Sequence, residues 1–127
     1  MKEIWKDIKN YEGLYQVSDL GDVKSLPKFR RTTKNYNQLG YISKTKLLRK
    51  RKTKRGYYLV TLYKDKEAKS MYVHRLVAEN FISNIDNKPC INHKDGDKTN
   101  NNKNNLEWCT YSENMIHAHA TGLNRFI

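Results

Sequence analysis

Hydrophobic and polar positions alternate in two stretches of the chain, and each stretch predicts an antiparallel β-hairpin. Near the N-terminus the alternation covers Leu14–Ser18 and Asp22–Leu26, with Asp19–Gly21 as the turn between them. The second stretch, Gly56–Tyr63, is rich in β-branched and aromatic residues and returns as Ser70–Val73 after a polar turn. Both hairpins are therefore expected to direct one apolar face towards a core.

The spacing of the apolar residues then changes from that of a strand to that of a helix. Apolar side chains at positions 73, 76, 77 and 81 fall at i, i+3, i+4 and i+8, which brings them to one face of a helix. The pattern predicts a helix over His74–Ile82 that packs on the second hairpin.

The last part of the chain predicts a strand, a loop, a second strand and a helix. The strands are Cys90–His93 and Leu106–Thr110, and Asp95–Gly96 is a turn dipeptide in the loop between them. Ser112 is expected to cap a final helix over residues 113–120. The whole pattern predicts an α+β fold, with an antiparallel β region first and a ββα unit last.

Composition limits the class of protein. With 127 residues, of which 37% are hydrophobic, the chain is expected to form one domain, or one domain with an arm. No apolar run approaches the roughly 18 residues of a membrane span, and the N-terminus lacks the apolar segment of a signal peptide. We therefore expect an intracellular, cytoplasmic protein with no membrane partner, in which Cys90 and Cys109 are free thiols.

The net charge of +12 is concentrated in one window of the chain. Val23–Lys64 holds fourteen Lys or Arg residues and no Asp or Glu, whereas the other 85 residues hold 11 cations and 13 acids. Because solvated surfaces normally mix both signs, this asymmetry favours a polyanionic partner, and the interleaved aromatic residues favour nucleic acid. The residues expected to contact nucleic acid are Lys24, Lys28, Arg30, Arg31, Lys34, Arg49, Lys50, Arg51, Lys52, Lys54 and Arg55.

Much of this window is expected to be a basic arm. Pro27–Arg55 has few apolar residues, so it predicts a loop with one short strand at Lys46–Leu48. Such a composition buries too little surface to offset the entropy of ordering, so the arm is expected to order on DNA. The alternative is a basic, partly disordered arm without that partner.

The candidate chemistry lies in Cys90–Asn114, which contains one His among many Asp and Asn residues. His accepts a proton near neutral pH, and Asp and Asn oxygens are ligands that hard divalent cations prefer. In a cationic protein, this combination indicates hydrolysis of a phosphodiester. Asp95 and Asp97 are expected to form turns around Gly96 rather than to bind metal.

Two other histidines and two other functions remain open. His74 is expected to be structural and close to the site, and His117 shares a helix face with Asn114, where it would contact phosphate or support a metal. One alternative function is a zinc-stabilised module built from Cys90, His93, Cys109 and His117. The other is a nucleic-acid-binding protein without catalytic activity.

At this point the chain resembles a known family. The segment WKDIKNYEGLYQVSDLGDVKSL resembles the nuclease-associated modular element at the front of phage HNH homing endonucleases. The segments VHRLVAENF, NHKDGDKTNN, NNLEW and SEN resemble the HNH core of the same enzymes, particularly the intron-encoded nicking type. The resemblance implies a DNA-binding motif with its basic arm over residues 1–56, and a ββα-metal nuclease core over residues 57–127.

The resemblance also implies roles for individual residues. His93 matches the general base, and Asn105 matches the Asn that orients that His. Asn114 matches a metal-binding Asn, and Asn92 occupies a position where the relatives carry an acidic metal ligand. The implied activity is DNA cleavage by a phage or mobile-element enzyme with one Mg²⁺ or Mn²⁺ ion per active site, acting as a monomer or homodimer.

Overall fold

Short antiparallel strands dominate the computed structural model, which describes residues 2–30 and 40–120. The strands are β1 (Trp5–Asp7), β2 (Tyr15–Ser18), β3 (Val23–Ser25), β4 (Phe29–Arg30), β5 (Tyr41–Ile42), β6 (Lys46–Leu47), β7 (Arg51–Lys52), β8 (Tyr58–Lys64), β9 (Glu67–Tyr72), β10 (Cys90–His93) and β11 (Leu106–Cys109). The helices are α1 (Val73–Phe81) and α2 (Tyr111–Ala120), and a 3₁₀ turn covers Lys103–Asn105. The α+β fold predicted from the sequence is confirmed.

The N-terminal hairpin forms the centre of a four-stranded sheet with the order β1-β2-β3-β6. Strands β2 and β3 and the turn between them lie where the alternation predicted them, and β6 confirms the short strand expected in the basic arm. Ser18 is fully buried at the turn, where its Oγ accepts hydrogen bonds from the N–H groups of Leu20 and Asp22 at 3.2 and 3.0 Å. This hydroxyl fixes the shape of the turn.

A second sheet, β7-β8-β9, carries helix α1. The hairpin β8–β9 and the helix confirm the sequence prediction, with the helix beginning one residue earlier, at Val73. Strand β7 lies in the segment expected to be an irregular arm. It forms because its backbone pairs with the edge of β8, in the register Arg51↔Leu59.

A hydrophobic core joins the N-terminal sheet to the second sheet, to α1 and to β11. It contains side chains from the N-terminal sheet together with side chains from β8, α1 and β11, and its buried members are Ile8, Tyr15, Val17, Val23, Val60, Leu62, Val73, Leu76, Val77 and Leu106. The proposed division between residues 56 and 57 stays a prediction, but the core continues across it.

The ββα unit is present at the predicted place, with one correction. Strands β10 and β11 pair in the register Asn92↔Glu107 and His93↔Leu106. Helix α2 begins at Tyr111, so Ser112 does not cap it. Thr110 does: its Oγ1 accepts from the N–H of Glu113 at 3.1 Å, and the Glu113 carboxylate accepts from the N–H of Thr110 at 2.9 Å. Thr110 and Glu113 thus form a capping box, which satisfies two backbone donors at once.

A cluster of aromatic and histidine rings lies at the start of α1. The ring of His74 lies 5.1 Å from that of Tyr57, 5.2 Å from that of Tyr72 and 5.3 Å from that of His93. Burial, assisted by the nearby His93 and Arg75, lowers the pKa of His74 to about 3. His74 is therefore neutral at physiological pH, and its Nδ1 atom is buried without a hydrogen-bond partner in the described part of the chain.

Among the residues that the structure describes, there is no helix that is long and apolar enough to cross a membrane.

The packing of α1 predicts a large effect of truncating Leu76, which is only 1% exposed. Leu76→Ala is expected to lower the free energy of unfolding by about 2–5 kcal/mol, because it leaves a cavity in a core that serves both sheets. Leu47→Ala removes the same atoms from a side chain that is 62% exposed, and is expected to cost less than about 0.5 kcal/mol. Urea denaturation of both variants checks the difference, and equal losses would contradict the core assignment.

The burial of His74 predicts a dependence of stability on pH. Below pH 6.5, the ordinary pKa of a histidine, His74 binds a proton in the unfolded chain but not in the folded chain. The free energy of unfolding therefore falls as the pH falls from about 7 towards 3. His74→Phe keeps a ring in the cluster and removes the titrating group. We expect a flatter dependence on pH in this variant, measured by urea denaturation at a series of pH values. An unchanged slope would show that His74 is protonated in the folded protein.

Candidate active site

Strand β10 ends on the two residues that the sequence singled out, Asn92 and His93. Both are only 6% exposed. Neighbouring residues of a strand point to opposite faces, so the carboxamide of Asn92 lies on the same face as Glu107, and the His93 ring lies on the same face as Leu106. The site is therefore built on both faces of a two-stranded ladder.

The His93 ring is held by a buried hydrogen bond. Its Nε2 atom lies 2.8 Å from Oδ1 of Asn101, a residue that is 3% exposed. Burial lowers the pKa of His93, and the hydrogen bond to Asn101 offsets that effect only in part. The ring is therefore neutral at physiological pH, as a general base must be.

The expected contact between Asn105 and the His93 ring is corrected by the structure. The Asn105 carboxamide donates to the Asp95 carboxylate at 2.9 Å and to the backbone oxygen of Asn100 at 2.9 Å, and its Oδ1 accepts from the N–H of Asp95 at 3.1 Å. A charged carboxylate is a stronger acceptor than a neutral ring nitrogen. Asn105 therefore closes the loop between β10 and β11, and Asn101 takes the place beside the ring.

Asp95 and Asp97 form turns, as predicted. Oδ1 of Asp95 accepts from the N–H of Asp97 at 2.8 Å, and Oδ1 of Asp97 accepts from the N–H and hydroxyl of Thr99 at 2.9 and 2.6 Å. Hydrogen bonds from Asn100 and from the backbone of Asp97 lower the pKa of Asp95. Its carboxylate is thus ionised, and its oxygens are engaged in hydrogen bonds within the loop.

Glu107 is a site residue that the sequence reasoning missed. Its carboxylate accepts a hydrogen bond from Nδ2 of Asn92 at 2.9 Å, directly across the ladder. The two residues are fifteen positions apart, so only the register of β10 and β11 brings them together. Since the Nδ2 end of Asn92 is occupied, its Oδ1 atom is the end left to bind a cation.

Asn114 lies on α2, which packs against β10 and β11. It is half-buried and lines a cavity of about 260 Å³, together with His74, Tyr57, Arg55 and Cys90. The expected supporting residue His74 therefore lies in the same cavity wall as Asn114.

The donors suit a hard cation better than zinc. Carboxamide oxygens from Asn92 and Asn114 match the preference of Mg²⁺ or Mn²⁺, which take few protein ligands and complete their shell with water and phosphate. Within the described residues, no three His, Cys, Asp or Glu side chains come together as a metal site. Cys90 and Cys109 are free thiols, and burial raises the pKa of both, to about 11 for Cys109. These features disfavour the zinc-stabilised module.

The basic residues divide into engaged and exposed groups. Lys50 forms an ion pair with Asp22 at 2.9 Å, the Lys24 ammonium lies 4.2 Å from the centroid of the Trp5 ring, and Lys28 is half-buried. The exposed side chains are Arg49, Arg51, Lys52, Lys54 and Arg55, of which Arg51 donates from Nη2 to the Ser70 hydroxyl at 3.1 Å. Arg31 and Lys34 lie outside the described residues, as do the side chains of Arg30 and His117.

Comparison with known families gives two matches in succession. Residues 3–63 match the NUMOD4 motif, and residues 71–116 match the HNH endonuclease family. A similar curated protein is the DNA endonuclease I-HmuI of Bacillus phage SP01, 37% identical over 118 residues, which cover 93% of this chain and 59% of the relative. Another is an uncharacterized HNH endonuclease of Acanthamoeba polyphaga mimivirus, 36% identical over 121 residues, which cover 95% of this chain and 31% of the relative.

A solved structure has the same fold. The structure described as DNA binding and cleavage by the HNH homing endonuclease I-HmuI matches with a TM-score of 0.76 and 35% identity, over 97% of this chain and 62% of that one. The chain therefore spans less than two thirds of each of these relatives. The resemblance seen in the sequence is confirmed, and the chain belongs to the HNH homing endonuclease family, with a NUMOD4 motif preceding its HNH motif.

Proposed function

We propose that the chain is a metal-dependent endonuclease that hydrolyses phosphodiester bonds in double-stranded DNA, as a homing-type enzyme of a phage or mobile element. The observation that carries this proposal is the neutral His93 ring, hydrogen-bonded at 2.8 Å at the end of β10 and adjacent to Asn92. The relative I-HmuI, whose solved structure is described as binding and cleaving DNA, supports the proposal.

In the proposed reaction, His93 is the general base. Hydrolysis needs a water molecule deprotonated in line with the leaving 3′ oxygen. One ring nitrogen of His93 is engaged by Asn101, and the other accepts the proton of that water. Because burial keeps the free ring neutral, no proton has to be removed from it before the reaction.

Asn92 and Asn114 would hold one Mg²⁺ or Mn²⁺ ion through their carboxamide oxygens. When bound, the ion neutralises the negative charge that grows on the phosphate and on the leaving oxygen. Glu107 prepares Asn92 for this role, because its carboxylate holds the Nδ2 end at 2.9 Å and leaves the oxygen for the cation. Glu107 also supplies the negative charge that the carboxamide of Asn92 lacks.

The exposed cations near β7 are proposed to hold the DNA backbone. Arg49, Arg51, Lys52, Lys54 and Arg55 lie in a segment without acidic residues, and such segments bind phosphates with a strong dependence on salt. One ββα unit carries one His93, so a monomer is expected to nick one strand, and a homodimer is needed to cut both strands together.

Asn92 itself favours one second candidate function, DNA binding without cleavage. A neutral carboxamide attracts a divalent cation less than a carboxylate does. The basic segment would provide the same affinity for DNA in either case, so only the active site distinguishes the two functions.

The first prediction of the proposal concerns His93. Incubation of supercoiled plasmid with the protein and Mg²⁺ or Mn²⁺ is expected to give relaxed circles, and EDTA is expected to prevent their formation. His93→Ala should lower the rate by about 10²- to 10⁴-fold, because the general base is lost, while its affinity for the plasmid in a gel-shift assay stays unchanged. Early linear product would indicate a homodimer. Binding without nicking by the wild-type protein under every metal condition would favour the second function.

The second prediction concerns the charge at the metal ligands. Asn92→Asp should lower the Mn²⁺ concentration needed for half-maximal binding on the order of tenfold, because it adds a charged ligand. Glu107→Gln should raise that concentration about 10- to 100-fold, because the neutral amide holds the Nδ2 end of Asn92 less strongly and the negative charge beside it is lost. Calorimetric titration of Mn²⁺ into the complex with uncleavable DNA measures both changes.

The matched control for this titration is Glu67→Gln. Glu67 is the first residue of β9, opposite Lys64 of β8 and at the other end of the strand from Tyr72. The substitution removes the same unit charge there. This variant is expected to bind Mn²⁺ as the wild type does. An equal loss of Mn²⁺ affinity in Glu67→Gln and Glu107→Gln would show that Glu107 acts only through the net charge of the protein.

A further inference from the structure

The hydrogen bond between Asn101 and His93 is built into a contact between two parts of the fold. Asn101 lies in the loop between β10 and β11, and the Ser18–Asp22 turn of the N-terminal sheet packs against it. A Cβ atom on Gly21 would lie 2.9 Å from the Cβ of Asn101 and 3.2 Å from its backbone oxygen. The backbone of the turn therefore approaches Asn101 more closely than any residue with a side chain would allow.

The turn also holds the loop by a hydrogen bond. The N–H of Lys103 donates to the backbone oxygen of Asp19 at 2.8 Å. The turn itself is fixed from inside by Ser18, and Gly21 adopts a φ of +93°, a conformation that residues with a Cβ rarely take. The N-terminal sheet thus sets the position of Asn101 through two contacts, one at Asn101 itself and one at Lys103.

The bonding of Asn101 indicates a role other than structural support. Its Oδ1 atom accepts from Nε2 of His93, but its Nδ2 atom is buried without a hydrogen-bond partner among residues 2–30 and 40–120. A buried donor without a partner costs stability, and such groups in native proteins need an explanation. An oxygen only accepts hydrogen bonds, so the contact requires the proton of the ring to be on Nε2 and leaves the lone pair on Nδ1.

We propose that Asn101 is the positioning residue for His93, and that the Ser18–Asp22 turn holds Asn101 in place. The N-terminal sheet then helps to position the proposed general base, although it supplies no catalytic residue itself. This inference rests on the proposed function of His93 as a general base. Asn101 touches neither DNA nor water in this role; it fixes the orientation and tautomer of the ring, which the reaction needs.

The chain offers a matched pair of glycines for the test. Gly13 also has a positive φ, of +78°, but a Cβ there would have no atom within 4 Å from any described residue beyond its two chain neighbours. Gly13→Ala and Gly21→Ala therefore impose similar backbone strain, and only Gly21→Ala displaces Asn101. Asn101→Ala and the double variant Gly21→Ala with Asn101→Ala complete the set, all in the full-length chain and checked for folding by circular dichroism.

The first measurement is the tautomer of His93, from long-range ¹H–¹⁵N spectra of the protein without metal or DNA. The signals are assigned by their loss in His93→Ala. The wild type and Gly13→Ala are expected to show the proton on Nε2, and Asn101→Ala and Gly21→Ala are expected to show a mixture of tautomers. A proton on Nδ1 in the wild type, or unchanged spectra in folded Asn101→Ala and Gly21→Ala, would overturn the proposal.

The second measurement is the single-turnover rate of plasmid nicking at saturating protein, beside the affinity for DNA. Asn101→Ala and Gly21→Ala should each lower the rate about 10- to 100-fold without weakening DNA binding, as loss of a residue that orients a catalytic group does. The double variant should be no slower than the slower single variant, since both act through one contact. Additive losses, or a loss in Gly13→Ala equal to that in Gly21→Ala, would overturn the proposal.

The two measurements separate this inference from the proposed function. A wild-type protein that never cleaves, yet has its tautomer fixed by Asn101, would refute the nuclease function and retain the positioning contact. A wild-type protein that cleaves, with rates unchanged in Asn101→Ala and Gly21→Ala, would retain the nuclease function and refute the positioning role.

Discussion

The carboxylate of Asp95 closes the loop on which the candidate site depends. It accepts hydrogen bonds from the side chains of Asn100 and Asn105 and from the N–H of Asp97, which ties the beginning of the loop to its end. Because the loop is closed at this point, β11 returns beside β10 in a single register. That register brings Glu107 opposite Asn92 and turns Asn101 towards His93. A different closure would separate Glu107 from Asn92 and Asn101 from His93.

The charges of the molecule are arranged so that its most reactive groups carry none. The chain has a net charge of +12, yet His74 and His93 have lowered pKa values, with burial as the main cause in each case. The proposed metal ligands Asn92 and Asn114 are neutral as well, and Glu107 is the carboxylate hydrogen-bonded to one of them. A neutral base and polar oxygens inside a cationic surface suit a phosphodiester substrate, because the surface attracts the polyanion while the base keeps its lone pair.

Local patterns predicted the main elements because those patterns are fixed by residues close in sequence. Strand β10 was predicted to the residue, since a proline precedes it and the turn at Asp95–Gly96 follows it. The local pattern did not predict strand β7, because this strand forms by pairing its backbone with the edge of β8. The start of α2 was missed although its signal was present, in the spacing of Thr110 and Glu113. The partner of His93 could not be chosen from sequence, since Asn101 and Asn105 belong to one Asn-rich run and differ only in how the loop closes.

The two sequence motifs do not coincide with two folding units. All of strand β8 except Lys64 falls within the NUMOD4 match and β9 runs into the HNH match, yet the two strands pair from Leu59↔Tyr72 to Lys64↔Glu67. The core joins Val17 and Val23 of the first motif to Leu76 and Leu106 of the second. Neither motif therefore buries its own apolar surface alone, and the close approach of Gly21 to Asn101 is one local part of that shared packing. Since the HNH loop rests on the N-terminal sheet, the geometry of the candidate site is a property of both motifs together.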